Sequence, residues 1–142
     1  MRISYPYGNG VGFVQDDRDW TSGPDEHVEQ RGVVKTYRSP RIPKVWAHSV
    51  PNGGHRDKQT ASQMQAEGCD SGAADLMFWG QEGNPAALPT MVEMKKRYGK
   101  PEDARPEQVA WLGVYQSCGI DSFVVCGEKA CLALLRSRGY IL

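Results

Sequence analysis

The sequence predicts an α/β fold, a mixed central β-sheet flanked by helices. Three observations lead there. Short apolar runs are bounded by glycine, proline or charged residues, polar stretches with helical periodicity lie between them, and the order reads helix, strand, helix, strand, strand, helix, strand, helix. A chain of 142 residues fits one domain with a core of useful size.

The first 24 residues are rich in Gly, Pro, Tyr and Asp, and Ile3 to Tyr7 and Val11 to Val14 flank the turn sequence Gly8-Asn9-Gly10. That pattern reads as a small hairpin or an N-terminal arm, ahead of a main domain over 25–142. From Asp25 to about Ser39 an apolar stripe of Val33, Val34 and Tyr37 marks a helix, and one step back along it stand Gln30 and Glu26. Lys44 to Val50 reads as a strand running into the turn Pro51-Asn52-Gly53-Gly54. Asp57 to Glu67 is polar and helix-prone, and Gly68 stops it. Ala73 to Trp79 is a short apolar run between glycines, hence a buried strand, and Leu88 to Lys95 is the next. Pro101 to Gly119 reads as a helix with Gln108, Trp111, Leu112 and Tyr115 on one face, and Pro106 suits a first turn. Asp121 to Cys126 is a fourth strand and Glu128 to Arg138 a closing helix.

Charge is balanced, with 17 basic and 17 acidic residues, so no global field points to a polyanionic partner. Locally, Arg31, Lys35, Arg38, Arg41, Lys44, Arg56 and Lys58 are opposed by Asp57 alone, a run that reads as a basic patch or as a solvated face. The 4 cysteines form no CxxC pair and match no zinc module; Cys118 and Cys126 lie among apolar residues, where buried reduced thiols are expected. With no apolar run long enough to span a bilayer and no signal peptide, a soluble protein of the cytoplasm is expected, with no membrane partner.

The chemistry concentrates in Thr90 to Arg97, "TMVEMKKR". Alternation along a strand puts Glu93 and Lys95 on one face and Val92 and Met94 on the other, with Glu93 and Lys95 roughly 7 Å apart at Cα. Asp75 interrupts the preceding apolar run in the same way. If those two strands pair, as sequential strands usually do, Asp75 and Glu93 converge. Two carboxylates so close stay ionised only beside a cation, and Mg²⁺ or Mn²⁺ held by carboxylates, a main-chain carbonyl and water resolves the conflict. Lys95 beside such an ion is suited to orienting an attacking water or offsetting charge on a phosphate, which is chemistry for hydrolysing a phosphodiester. Glu26 holds the ion or its water from the helix, and Gln108 hydrogen-bonds Lys95 or the phosphate. The turn at Asn52, Gly53 and Gly54, followed by Arg56 and Lys58, reads either as a tight connection or as backbone placed close to a phosphate. His48 and His55 have no metal-ligand spacing.

These residues resemble the virus-type replication-repair nuclease (VRR-NUC) domain, a branch of the PD-(D/E)xK nuclease superfamily. The likeness covers roughly residues 25–142 and rests on "EHVEQ" (Glu26, Gln30), "HSVPNGGHR" (His48 to Arg56), "GAADL" (Gly72 to Leu76), "VEMK" (Val92 to Lys95) and "RPEQVAWL" (Arg105 to Leu112). It implies a restriction-endonuclease-like core. Asp75, Glu93 and the Met94 carbonyl would ligate the metal, with Glu26 as an added acidic ligand. Lys95 would be the catalytic lysine and Gln108 the glutamine of the last motif, while Gln30 and Lys96 join the loop residues in holding DNA. Stand-alone members, typical of phages, resemble Holliday-junction resolvases that act as homodimers on branched DNA, which would place this chain in a host cytoplasm. One position departs from the pattern: Ala74 stands where proline usually precedes the metal-binding aspartate. The expected function is therefore a Mg²⁺-dependent, structure-specific DNA endonuclease. The alternatives are a nuclease for duplex, flap or nicked DNA, and a non-catalytic nucleic-acid-binding module.

Overall fold

The computed structural model describes residues 1–50, 58–69 and 72–142, and their side chains except those of Lys58 and Ala61. The expected helix and strand order is present: α1 (Glu26–Tyr37), β3 (Val45–Ser49), α2 (Lys58–Ala66), β4 (Leu76–Gln81), β5 (Thr90–Lys95), α3 (Pro106–Ser117), β6 (Asp121–Cys126) and α4 (Glu128–Ser137). Ahead of them, β1 (Arg2–Ser4) and β2 (Gly12–Gln15) pair as an antiparallel hairpin. The hairpin does not stand apart. β2 pairs in parallel with β6, and Val11, Phe13 and Val14 are buried. One six-stranded sheet results, in the order β1-β2-β6-β5-β4-β3.

The sheet is mixed: β2, β6 and β5 run parallel, while β4 and β3 are antiparallel to their neighbours. The β5–α3–β6 connection is a crossover of the kind parallel strands require. Apolar residues divide between the two faces as strand alternation dictates. On one, Val33 and Tyr37 of α1 and Cys131, Leu134 and Leu135 of α4 cover Leu76, Phe78, Val92, Met94 and Val125. On the other, Leu112 of α3 covers Ala74, Met91, Val124 and Cys126. Every residue of β5 is buried, because it lies centrally and helices cover both faces.

Several boundaries differ from expectation. The run Pro101 to Gly119 is not one helix: Pro101–Asp103 forms a separate 3₁₀ turn, and Arg105 is extended at ψ 152°. The residue before a proline is driven out of the helical region, so Pro106 starts a new helix. Strand β4 begins at Leu76 rather than Ala73. At Asp75 a side chain replaces the main chain in the ladder: Asp75 Oδ2 accepts the Met94 N–H at 2.8 Å. Strand β5 begins at Thr90, leaving Leu88 half exposed. Cys126 and Cys131 are buried as free thiols, but Cys118 is exposed, because it is the residue that ends α3. No described helix is long and apolar enough to cross a membrane.

Candidate active site

Sheet register brings the two acids together. β4 and β5 pair antiparallel with Leu76 opposite Val92, so the residue before one and the residue after the other, Asp75 and Glu93, are also opposite. Opposed side chains on one face stand close enough to touch. The Asp75 carbonyl accepts the Val50 N–H at 3.1 Å, which holds the β4 entry to the end of β3. Two residues earlier than Ala74, Gly72 takes φ +90°, and a Cβ there would meet Glu107 Cγ at 2.8 Å and its backbone at 3.1 Å. Only glycine lets the chain pass α3 and still present Asp75. Ala74 itself is fully buried.

Carboxylate oxygens of Glu26, Asp75 and Glu93 all lie within 4.8 Å of one another. Glu93 is 1% exposed. Its Oε1 accepts Gln108 Nε2–H at 2.5 Å and lies 3.6 Å from Lys95 Nζ. Gln108 is oriented by its other end: its Oε1 accepts the Arg105 N–H at 2.9 Å, half of a capping box at the start of α3. That fixes which amide atom faces Glu93. Glu93 Oε2 is buried and has no hydrogen-bond donor among the described residues; its neighbour, the Asp75 carboxylate, is another acceptor. Each carboxylate disfavours the other's charge. Burial first, then the Asp75 charge, push the Glu93 carboxyl up to about 9. Burial raises Asp75 as well, against the Met94 N–H that favours its charged form. Glu26 is raised by burial, opposed by the Lys95 ammonium 4.0 Å away. A pair of carboxylates that resist ionising together around a donorless oxygen is the electrostatic arrangement a divalent cation relieves.

The structure therefore gathers Asp75, Glu93, Glu26, Lys95 and Gln108, the last through Glu93 rather than through Lys95. Met94 joins by its main chain, whose N–H and C=O project to the same side of an extended strand, here the side of Asp75. Lys96 lies one residue on, in a cleft of about 300 Å³ lined also by Glu26, Lys95, Tyr98, Gly99 and Asp103. Gln30 is not among the acids. It lines a separate cleft of about 490 Å³ with His27, Arg31, Lys35, Arg38 and Ser49, so part of the basic run does gather on one groove. His48 is exposed and outside the acidic group. Asn52, Gly53, Gly54, His55 and Arg56 lie outside the described residues, as does the side chain of Lys58.

Two residues that support the site escape sequence reasoning. Glu29 is 1% exposed; one oxygen accepts Arg97 Nε–H at 2.6 Å and the other accepts the Glu128 N–H at 2.6 Å, at the start of α4. Arg97, two residues past Lys95, lies over the Trp20 ring at 4.7 Å. Glu29, Val33 and Tyr37 are the buried residues of α1, and their spacing of four marks Glu29 as core-facing. Its partner, 68 residues away, leaves no local signal. Comparison of the chain with family models, with curated proteins and with solved structures finds no match.

Proposed function

We propose that the chain is a Mg²⁺-dependent endonuclease with a restriction-endonuclease-like (PD-(D/E)xK) core, hydrolysing phosphodiester bonds in branched DNA as a homodimer. The observation that carries the reading is the buried Oε2 of Glu93, without a donor among the described residues, set among the Asp75 and Glu26 carboxylates, with the Lys95 ammonium 3.6 Å from the same carboxylate. The donor set is all oxygen, which suits Mg²⁺ or Mn²⁺ over softer metals. Asp75 and Glu93 would hold the ion with the Met94 carbonyl, and Glu26 would hold the ion or its water. A bound divalent ion supplies an acidified water and neutralises charge developing on phosphate.

The remaining groups have positional work. Gln108 locks the Glu93 rotamer through a hydrogen bond at each end of its amide. Lys95, 8% exposed, is held between Glu93 and Glu26, where its ammonium would orient the attacking water or offset phosphate charge. Lys96 and the groove of Gln30, Arg31, Lys35 and Arg38 would contact phosphates of the bound strand. The preference for branched DNA comes from the family resemblance, and the dimer follows from it, since symmetric cutting of a four-way junction needs two active sites.

The test is cleavage of a synthetic four-way junction and of matched linear duplex in Mg²⁺ or Mn²⁺. Faster nicking of the junction is expected. Equal rates would leave a nuclease for ordinary, flap or nicked duplexes. Cleavage of neither substrate in either metal would leave a binding module.

A further inference from the structure

The sheet face that carries Asp75 and Glu93 turns from acidic to aromatic toward the β3 edge. Along β4, Leu76 and Phe78 pack on the α1/α4 side, while Met77 packs with the α3-side cluster and Trp79 follows it on that face. The β3–β4 register steps from Ala47 opposite Phe78 to Trp46 opposite Gly80. Trp79 is therefore the extra residue of a β-bulge, a device that re-aims a side chain and is common at sheet edges and beside active sites. It is 44% exposed. Its indole N–H donates to His48 Nε2 at 3.0 Å, and the two rings lie 6.4 Å apart at 21°. Since Nε2 accepts, the His48 proton is on Nδ1, which donates to the Ser49 carbonyl at 3.1 Å. Both ring nitrogens are engaged, so the plate is fixed in orientation.

Trp46 extends this surface. Val45 and Ala47 pack on the α1/α4 side, so Trp46 and His48 point to the other face. Trp46 is 52% exposed, and Lys44 Nζ stands 4.4 Å above its ring. Opposite it, a Cβ on Gly80 would meet nothing within 4 Å among the described residues, so no described side chain fills the space between the indoles. Two half-exposed indoles, one buttressed by histidine and one with a cation above its ring, thus stand on one face at the sheet edge. Flat aromatic faces with a neighbouring ammonium match one chemistry well: a base stacked on the ring and its phosphate on the lysine.

We propose that Trp79 with His48, and Trp46 with Lys44, form a stacking platform for unpaired bases of a nucleic-acid strand. The proposal deepens the nuclease reading and rests on it for its role. The platform begins four residues along β4 from Asp75, roughly 13 Å at the rise of a strand, so the stacked bases would lie within a few nucleotides of the cut. Stacking needs bases freed from a duplex, and every base has a π-face. The platform would thus favour junctions, flaps and frayed ends over continuous duplex, without reading sequence.

Binding is measured in EDTA, so that catalysis plays no part. A labelled oligothymidylate of about twelve nucleotides and a blunt duplex of the same length are titrated with the intact chain, Trp46→Ala, Trp79→Ala and Trp79→Phe, following fluorescence anisotropy. Each alanine variant should weaken single-strand binding by about 5- to 150-fold, change duplex binding less than about twofold, and sediment as wild type does. Trp79→Phe, which keeps a ring, should retain most of the affinity. Single-strand binding at wild-type strength in both alanine variants would overturn the platform. So would an equal loss on duplex and single strand, or a dimer that becomes monomeric in Trp46→Ala, which would assign the patch to contact between copies. The two readings separate cleanly. Ring-dependent binding with no cleavage by wild type would leave the platform and remove the nuclease, while cleavage with ring-independent binding would do the reverse.

Discussion

Replacing Glu93 by glutamine tests the electrostatics of the site without any assumption about substrate. In the metal-free protein the Glu93 carboxyl is raised by burial and by Asp75 from 4.5 to about 9. Between those values the folded protein holds a proton that the unfolded chain releases. Stability therefore falls as pH rises through that window, by at most about 1.4 kcal/mol per pH unit. From pH 5 to pH 8 the ceiling is about 4 kcal/mol, and measured costs of unpaired buried polar groups, about 1–3 kcal/mol, bring the expected loss to about 2 kcal/mol. For a chain of this length that is roughly 6–8 °C in melting temperature. A glutamine does not titrate, and its NH₂ can donate to Asp75. Calorimetric melts in EDTA at three pH values, wild type against Glu93→Gln, should show the wild-type melting temperature falling relative to the variant as pH rises. Mg²⁺ at about 100 times its Kd should then restore about 2.7 kcal/mol to wild type at pH 8, and little to the variant. A difference between the two proteins that stays flat with pH, or equal Mg²⁺ stabilisation of both, would refute the view that Glu93 is a strained carboxylate awaiting a cation.

Lys95→Ala should abolish metal-dependent cleavage yet keep junction binding by gel shift; retained cutting would show that another group carries the role. Arg97→Ala leaves the buried Glu29 charge with one backbone N–H, and should cost about 2–3 kcal/mol in urea unfolding, discounted from the fully buried case because Arg97 is partly exposed. The Glu29→Ala/Arg97→Ala double variant should lose less than the sum of the single losses, and additivity would mean the 2.6 Å pair does not couple in solution. Gly72→Ala forces a side chain into φ +90° against Glu107. About 1–3 kcal/mol of stability should go with it, together with Mg²⁺-dependent stabilisation if Asp75 is displaced.

Much of the scaffold can be read from short windows of sequence. Strand β6 begins and ends where its apolar run does, and α4 runs from Glu128 nearly to the expected end. The misplaced starts have local reasons that propensity alone does not capture. Arg105 is extended because Pro106 follows it, and Asp75 leaves the ladder because its side chain takes the Met94 N–H. Glu29 was hidden in plain periodicity: the stripe through Val33 and Tyr37 includes it, but stepping back from Val34 leads to Gln30 instead.

The candidate site divides along the same line. Alternation within one strand placed Glu93 and Lys95 on a common face from sequence alone, because side-chain direction in a strand has a fixed period. That Asp75 stands opposite Glu93 depends on the register between strands β4 and β5. That Glu26 arrives within 4.8 Å depends on how the first turn of α1 meets the end of β5. Gln108 meets Glu93 rather than Lys95, and Trp79 stands unpaired at the β3–β4 register shift, through packing choices that no local window contains. Composition and periodicity decide which residues are buried and in what order elements form, since each depends on neighbours along the chain. Which charged atoms share a desolvated space is a three-body question, and here it is answered by a strand, the start of a second strand and two helix ends folding onto one another.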